Sequence, residues 1–248
     1  METIYILWLR QIKKYFRSRS RIIGSLGQPL LFLVSFGFGF GSVYSQAGQG
    51  NYMQFLAPGI ILMSVLFTAV FAGIEVIWDR QFGFLKETLV APVPRFQIML
   101  GRTFGGATVA VIQGILVFLL TLLVGFRPVD LAMLPLALII IFIVAVLFTS
   151  IGTVIATLMD DMQGFQLIMN FLVMPVFFLS GALFPIDGLP QALKTIVHFN
   201  PLTYGVDAVR DCLISVSSFG LPLDMFIIFT TTLVFLAIGS LLFEKIQA

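Results

Sequence analysis

Side chains that could perform acid-base, nucleophilic or metal chemistry are few in this sequence. Asp160 and Asp161 are adjacent carboxylates that could begin a metal site, but no third ligand accompanies them, so an N-cap for the following helix is the better interpretation. His198 is the only histidine and Cys212 the only cysteine, which excludes multi-histidine and multi-cysteine metal sites. We therefore predict no catalytic residue and no metal ligand; His198 is interpreted as hydrogen-bonded and Cys212 as a packing residue.

A nucleotide-binding loop is also missing from the sequence. The pattern G-x-x-x-x-G-K-[ST], which cradles nucleotide phosphates, occurs nowhere. The glycines of GFGFG at 37–41 lie inside an apolar segment and not after a strand, so small-residue helix packing explains them better. The chain is therefore not expected to bind and hydrolyse ATP by this route.

The longest charged interruption of the sequence is the stretch 78–102. Within it Phe82, Leu85 and Leu89 recur at helical spacing and two prolines follow, which predicts a short amphipathic helix over residues 80–89. Two or three residues would suffice to connect two membrane spans. A helix at this position is therefore expected to receive a partner, and an interfacial helix that only anchors the spans is the alternative.

The composition indicates a membrane protein. Of the 248 residues, 59% are hydrophobic and 10% are charged, and the mean hydropathy of +1.06 is far above that of a soluble domain. The formal net charge of +2 is too small to suggest nucleic-acid binding. We predict an all-α integral membrane protein whose environment is the lipid bilayer.

Apolar runs of about 20 residues, the length that crosses a bilayer, predict six transmembrane helices. They cover residues 22–44, 53–77, 103–126, 131–159, 164–183 and 221–243. An amphipathic interfacial helix over residues 1–21 precedes this six-span domain, residues 22–248. Eleven of the 14 Lys and Arg residues fall in the N-terminal helix, the 78–102 stretch and the tail, so both termini and that stretch are expected on the cytoplasmic side.

Residues 184–220 are neither a span nor a plain loop. The apolar pieces 191–199 and 202–213 are each too short to cross a bilayer, and Asn200-Pro201 separates them. This pattern predicts an outer re-entrant helical hairpin between spans five and six.

Two stretches carry a resemblance to a known family. Residues 79–95, DRQFGFLKETLVAPVPR, resemble the first cytoplasmic loop of the type-2 ABC exporter permeases, which typically reads like DRERGTLExLLxTPV. Gln81 replaces a common acidic residue there and Phe84 a common threonine. The C-terminal pattern of the same permeases is similar to an ordered series here: LSGA at 179–182, LP at 189–190, PLTY at 201–204 and then Arg210.

The resemblance covers essentially the whole chain and implies a role. The chain would be the transmembrane subunit of an ATP-driven exporter in the plasma (inner) membrane of a prokaryote. It would pair with a second copy of itself or with a paralogous permease, and two copies of a separate ATPase subunit would bind ATP and Mg²⁺. No cofactor is expected on this chain. Drugs, lipids and lipid-linked glycans are the substrate classes that the family allows.

The resemblance also implies roles for residues. The predicted helix over residues 80–89 would be a coupling helix seated in the ATPase, with apolar side chains as anchors and charged ones setting the register. Its members are Arg80, Phe82, Gly83, Leu85, Lys86, Glu87 and Leu89. The substrate pathway would follow the seam of two permeases along spans two and five, with lipid-facing packing as the alternative. Its candidates are Phe55, Met63, Phe67, Phe71, Phe165, Gln166, Met169, Asn170 and Leu172.

The outer re-entrant motif consists of Pro201, Tyr204, Asp207 and Arg210. Asp207 and Arg210 stand one helical turn apart, a spacing that permits an ion pair. We predict that this pair holds the outer hairpin closed, and a solvated surface pair is the alternative.

An ATP-independent secondary transporter or channel is the alternative function. Ion-coupled carriers generally place carboxylates inside the bilayer, whereas the acids here cluster at loops and span ends, with Glu75 the nearest exception. A membrane enzyme is a weaker option, because the spans bring together no acid, base and nucleophile.

Overall fold

The computed structural model describes residues 2–46, 50–90 and 92–245, without the side chains of Arg21, Ser42, Lys86, Leu89 and Asp187. Within these residues the chain forms twelve α-helices and no strand. In chain order the helices are α1 Glu2–Arg17, α2 Arg19–Gly39, α3 Gly41–Gln46, α4 Tyr52–Phe71, α5 Ile74–Gln81, α6 Phe84–Val90, α7 Arg95–Val124, α8 Leu134–Thr157, α9 Met162–Phe178, α10 Gln191–Phe199, α11 Pro201–Ile214 and α12 Leu221–Glu244. Short 3-10 turns, Leu131–Met133 and Ile186–Gly188, precede α8 and α10.

Helix α4 lies at the centre of the helical bundle. It contacts α2, α7, α8, α9 and α11, so protein surrounds most of its surface. Leu56, Ile60, Leu62 and Leu66 are fully buried, although they lie on several sides of the helix. A helix enclosed by other helices needs no polar face, which explains why this segment is apolar all round.

Glycine allows α4 and α8 to approach each other closely. A Cβ at Gly152 of α8 would meet the carbonyl oxygen of Val70, and a Cβ at Gly73 would meet the carbonyl oxygen of Gly152. Gly73 lies in the short break between α4 and α5. The two backbones therefore touch directly, in the manner of small-residue packing between membrane helices.

Helix α1 packs along the first half of α7. A Cβ at Gly101 would press on Leu7 at 3.0 Å, and one at Gly105 would press on Gln11 at 2.6 Å. The contacts advance in the same direction along both helices, so α1 is part of the bundle and does not simply rest on a membrane surface. The predicted helix over residues 1–21 also divides at Ser18, because α2 begins at Arg19.

Five helical segments among the described residues are long and apolar enough to cross a membrane. They are Ile22–Gly39, Tyr52–Gln81, Arg95–Val124, Leu131–Thr157 and Leu221–Glu244. The first is shorter than the predicted span 22–44, because α2 ends at Gly39 and α3 follows. The predicted span 164–183 corresponds to α9, an apolar helix of 17 residues. The protein is therefore an all-helical, multi-pass membrane protein, and the number of crossings depends on α9.

The predicted outer segment, 184–220, contains α10 and α11, which meet at Asn200. The Asn200 side chain accepts a hydrogen bond from Leu202 N at 3.0 Å and donates one to the carbonyl oxygen of Val176 at 2.6 Å. The N-cap of α11 is thus also a link to α9. Helix α11 is buried within the chain, where it contacts α4, α8 and α12.

Candidate functional site

The stretch 78–102 contains two short helices before α7 begins. Helix α5 ends at Gln81, Gly83 adopts a φ of +78°, and α6 begins at Phe84. Glycine occupies this conformation without strain. The predicted single helix over residues 80–89 is therefore wrong, and the helical spacing of its apolar residues runs across a turn.

The predicted coupling residues differ in how much of each side chain is exposed. Phe82 is 71% exposed and stacks on Trp78 with ring centroids 5.2 Å apart. Glu87 is also exposed. Leu85 is fully buried within this chain, so it holds α6 to the bundle and is not available to anchor a partner. The side chains of Lys86 and Leu89 are outside the part of the chain that the structure describes.

Arg80 is bound to other residues of the chain. It donates hydrogen bonds to the carbonyl oxygens of Met159 and Thr157, both at 3.2 Å, and forms an ion pair with Asp160. These acceptors lie at the end of α8 and in the turn before α9. The structure thus assigns Arg80 to an internal link between α5 and the α8–α9 turn, where the sequence predicted a role in partner register.

Asp161 caps helix α9. Its carboxylate accepts hydrogen bonds from Gln163 N at 3.2 Å and Gly164 N at 2.6 Å, which confirms the predicted N-cap. His198 donates from Nδ1 to the carbonyl oxygen of Lys194 at 2.6 Å. Among the described residues, no group of three His, Cys, Asp or Glu side chains could hold a metal ion.

A group of charged residues, here called the Asp79 cluster, joins α1, α5 and α7. Asp79 accepts two hydrogen bonds from Arg10, both at 2.9 Å, and lies 2.7 Å from Arg102 Nη2. On α1 and α5 beside it, Lys14 lies 3.3 Å from Glu75. The hydrogen bond to Asp79 raises the pKa of Arg10 above its ordinary value, against the opposing effect of burial.

The Asp79 cluster contains a buried cation. Arg102 is 4% exposed and Asp79 6% exposed, so both charges must be neutralised inside the protein. Asp79 is paired with both Arg102 and Arg10. Arg10 is less enclosed, with 33% of its side chain exposed. Sequence spacing carried no signal for the cluster, because Arg10 and Asp79 are 69 positions apart.

The predicted pathway residues of α9 lie on different faces. Phe165 and Met169 are fully buried, and the Phe165 ring packs edge-on against Phe71 with centroids 6.4 Å apart. Gln166 and Asn170 are exposed. Leu172 is half-buried. The predicted set on α9 therefore does not form one surface, since its amides and its buried residues point in different directions.

Three predicted pathway residues of α4 line a recess inside the chain. Met63, Phe67 and Phe71 form its apolar wall, and its volume is ≈ 200 Å³. We call it the α2–α4 recess, and its other lining residues are Tyr15, Gly24, Ser25, Gln28, Pro29, Ser64, Thr68 and Gln113. The lining thus combines aromatic side chains with hydroxyl and amide groups, and none of these residues is an Asp, Glu, Lys or Arg.

Arg210 fastens the outer motif to α4. It donates to the carbonyl oxygen of Gly181 at 3.0 Å and more weakly to that of Phe55 at 3.4 Å, and its guanidinium lies 3.9 Å from the Phe55 ring centroid. Burial lowers the pKa of Arg210 to about 10 while Asp207 opposes this shift, so the side chain stays cationic at neutral pH. Phe55, a predicted pathway residue, is a cation–π partner of Arg210.

The predicted ion pair between Asp207 and Arg210 is wrong. Asp207 accepts hydrogen bonds from the loop that precedes α12: from Ser217 Oγ at 2.9 Å, Ser218 N at 2.8 Å and Phe219 N at 2.9 Å. Helical spacing permits the pair, but these donors satisfy the carboxylate while Arg210 binds carbonyl groups. The other members of the motif are Pro201, in the first turn of α11, and Tyr204, which donates to the carbonyl oxygen of His198 at 2.8 Å.

The arrangement of apolar helices defines a polytopic helical membrane protein, and comparison with known proteins identifies its family. The family model described as ABC-2 type transporter matches residues 2–214. The chain belongs to this family. It is therefore a membrane permease subunit of an ABC transporter.

Individual relatives are similar over most of their length. A protein of Cyanophora paradoxa named as a transport permease, ycf38, is 27% identical, with 99% of this chain and 89% of that protein covered. Nodulation protein J of Rhizobium leguminosarum bv. viciae is 31% identical over 76% of this chain and 73% of its own length. The inner membrane transport permease YadH of Escherichia coli strain K12 is 28% identical over 82% of this chain and 80% of its own length.

Proposed function

We propose that this chain forms the substrate pathway of an ATP-driven exporter and couples to a separate ATPase through the segment around α6. The exposed Phe82 next to the internally anchored Leu85 is the observation that carries this proposal. An aromatic side chain that is 71% exposed at the end of α5 suits insertion into a partner's cleft. Because this sequence lacks the phosphate-binding loop, ATP and Mg²⁺ would be bound by the partner, expected in two copies.

The internal links around α5 and α6 support a route for transmitting movement. Arg80 connects the end of α5 to the α8–α9 turn. The Asp79 cluster connects the same helix to α1 and α7. A displacement of α6 by nucleotide-driven closure of the ATPase, once passed on to α5, would therefore reach α1, α7 and the α8–α9 turn through polar contacts.

We further propose six membrane crossings with both termini in the cytoplasm. At about 1.5 Å per residue, the 17-residue α9 would span roughly 25 Å, near the lower limit for a crossing. Arg95 at the start of α7 donates to the carbonyl oxygen of Glu244 at 2.6 Å, which supports the 78–102 stretch and the C-terminal end being on the same side. The name of YadH supports an inner, or plasma, membrane location in a prokaryote.

Substituting Phe82 tests the coupling role. Phe82→Ala is expected to weaken binding of the partner ATPase roughly tenfold or more, because the anchor of an interface carries most of its binding energy. The measurement is ATPase affinity and substrate-stimulated hydrolysis with the reconstituted protein. Phe199→Ala is the matched control, since Phe199 is 84% exposed on α10, on the proposed outer side.

Charge reversal at Lys86 and Glu87 adds a second arm to the same experiment. The double reversal should uncouple hydrolysis from transport while the fold stays intact, because complementary charges set register at interfaces. Wild-type affinity and coupling in both the reversal and Phe82→Ala would remove the coupling assignment.

We propose that a second permease, either a copy of this chain or a paralogue, packs against α2 and α9. This differs from the predicted seam along spans two and five, because α4, which forms span two, is enclosed by other helices of this chain. These helices are neighbours, since the Phe32 and Phe177 rings contact each other at 6.2 Å between centroids. Leu31 is 67% exposed on α2 and Phe171 84% exposed on α9. The exposed amides Gln166 and Asn170 on α9 support a protein partner over lipid, because lipid leaves polar groups unpaired.

Cysteine cross-linking distinguishes a permease seam from a lipid-facing surface. In a Cys212→Ser background, Phe171→Cys is expected to form disulfide-linked dimers in membranes under mild oxidation. Leu123→Cys on α7, at 83% exposure, is the lipid-facing control and should remain monomeric. Equal cross-linking of the two variants, or none at Phe171→Cys with the ATPase bound, would count against this seam.

The ATP-independent transporter stays as a second candidate because of one buried acid. Asp224 of α12 is fully buried, and both of its carboxylate oxygens lack a hydrogen-bond partner. Carboxyls of this kind are used in proton-coupled carriers. Transport by vesicles that contain this chain and no ATPase would favour that candidate over the exporter.

A further inference from the structure

Helix α1 has an exposed basic stripe on the side that faces away from α7. Leu7 and Gln11, which face α7, are buried, whereas Lys13 and Arg17 are exposed. A groove of ≈ 480 Å³ runs along this stripe, and we call it the α1 groove. Its lining residues are Ile6, Leu9, Arg10, Lys13, Lys14 and Arg17, so four of the six are cations.

Two of these cations have no acid to neutralise them. Arg10 and Lys14 pair with acids of α5, at 2.9 Å and 3.3 Å. Among the side chains that the structure describes, Lys13 and Arg17 pair with no acid. They stand one helical turn apart on the same face of α1, so a single anionic group can contact both. The α1 groove therefore has an excess of positive charge that attracts an anion.

The position of the α1 groove along the bundle indicates where this anion comes from. Lys14 lies 3.3 Å from Glu75, which follows α4, a helix of 20 residues that ends at Phe71. About 20 residues cross the hydrocarbon region of a bilayer, so Lys14 and Glu75 lie near its border. Further along the chain, Ile23 is 73% exposed at the start of the membrane-crossing segment Ile22–Gly39. The stripe is therefore at the level of the lipid headgroups.

Aromatic side chains next to the stripe support this level. Trp78 is 45% exposed and borders a second groove, of ≈ 210 Å³, together with Lys14, Ile74 and Glu75. Tryptophan is enriched where a bilayer meets water, because its ring is apolar and its N–H is a donor. Phe16, beside Arg17 in the chain, is 57% exposed and offers an apolar contact. The charge of Glu75 is offset by Lys14, so this acid does not cancel the attraction.

We propose that the α1 groove binds the headgroup of an anionic phospholipid, with Lys13 and Arg17 as the counter-charges of its phosphate. The acyl chains would lie against Phe16 and Ile23. A phospholipid with a net negative charge is expected over a zwitterionic one, because two cations here lack a partner. An acidic protein surface would match the charge but not the exposed apolar side chains beside it. The site does not depend on the proposed coupling to an ATPase.

The volume of the α1 groove fits a headgroup. At ≈ 480 Å³ it is within the range of roughly 300–1,000 Å³ found for small-molecule sites. It is open along α1, since all of its lining residues belong to this helix. A headgroup can therefore enter from the membrane without any movement of the bundle.

Lipid retention measured by native mass spectrometry tests the site. The purified protein is exposed to phosphatidylglycerol or to phosphatidylcholine with the same acyl chains. Phosphatidylglycerol is expected to be retained roughly tenfold more, because each basic residue near a membrane surface contributes to the attraction of anionic lipids. Equal retention of the two lipids would overturn the proposal.

A double variant with a matched control locates the binding. Lys13→Gln/Arg17→Gln should lower retention of phosphatidylglycerol to the level of phosphatidylcholine. Both residues are exposed and unpaired with acids, so the fold should stay intact, which thermal unfolding in phosphatidylcholine checks. Lys194→Gln/Lys245→Gln removes the same net charge outside the α1 groove and should retain lipid like the wild type. If the two double variants behave alike, net charge alone explains retention and the site is refuted.

Two further measurements separate the lipid from other occupants. An excess of inorganic phosphate should leave phosphatidylglycerol bound, because free phosphate has no acyl chain to contact Phe16 and Ile23. Displacement by inorganic phosphate would overturn the lipid assignment. In phosphatidylcholine membranes, Lys13→Gln/Arg17→Gln should bind the partner ATPase with wild-type affinity. A loss of affinity there would assign the stripe to the ATPase and refute the lipid site, whereas a failure of Phe82→Ala to weaken ATPase binding would leave the lipid site standing.

Discussion

Replacing Asp79 with asparagine is expected to destabilise the folded protein by about 3–5 kcal/mol, because it removes the carboxylate that lies 2.7 Å from the buried Arg102 and leaves Glu75 as the remaining acid near this cation. Arg102 is 4% exposed, so its cation cannot reach water without a change in the packing around it. For a chain of this length the loss corresponds to a fall in apparent melting temperature on the order of 10 °C. Thermal unfolding of the purified protein in nanodiscs measures it.

Removing the Arg102 cation as well should restore much of the lost stability. The double variant Asp79→Asn/Arg102→Met lacks the buried cation. Its remaining Arg10 has 33% of its side chain exposed and can reach water, and the buried Glu75 keeps its pairing with Lys14. Glu87→Gln is the matched control, since Glu87 is an exposed acid in the same stretch. Wild-type stability of Asp79→Asn would show that the Asp79 cluster does not hold α1, α5 and α7 together.

Gly152→Val is expected to prevent α4 and α8 from packing and to reduce the yield of folded protein severely. A side chain there would meet the carbonyl oxygen of Val70, a backbone atom that cannot rotate away. Even Gly152→Ala should destabilise by about 1–3 kcal/mol, the usual magnitude of overpacking. The measurement is the monodisperse fraction in size-exclusion chromatography, followed by thermal unfolding of what remains.

Gly27→Val is the control for helix propensity. Gly27 lies in α2 with nothing within 4 Å of a new Cβ, so the same substitution adds a β-branched residue to a helix without a clash. Its stability should stay close to that of the wild type, because valine and glycine differ little in helix propensity. If Gly152→Val and Gly27→Val behave alike, the backbone contact between α4 and α8 is not essential.

Two residues of the 78–102 stretch have surroundings that differ from those expected from their spacing. Phe82 and Leu85 are three positions apart, a distance that usually puts two residues on one helix face. The turn at Gly83 separates them, so that one is exposed and the other is buried. A periodic pattern reports the spacing of apolar residues, but it does not report a break that a single glycine introduces.

The sequence by itself determined the class of protein and its family. Length and hydrophobicity of the segments predict an all-α membrane chain, and the order of the loop and C-terminal motifs predicts the permease family that the match over residues 2–214 shows. The N-cap at Asp161 could also be predicted. These features depend on residues close together in the chain, where residue type and spacing act directly.

Only the tertiary structure decided which groups meet. Arg10 is paired with Asp79, which is 69 positions away, and Arg80 with Asp160, which is 80 positions away. Arg210 contacts Phe55, 155 positions away, although Asp207 is only one helical turn from it. The α2–α4 recess likewise draws its lining from four helices. The physical reason is that a charged or polar side chain in a helical bundle pairs with whatever donor or acceptor the packing brings near, and packing of the whole bundle sets that choice.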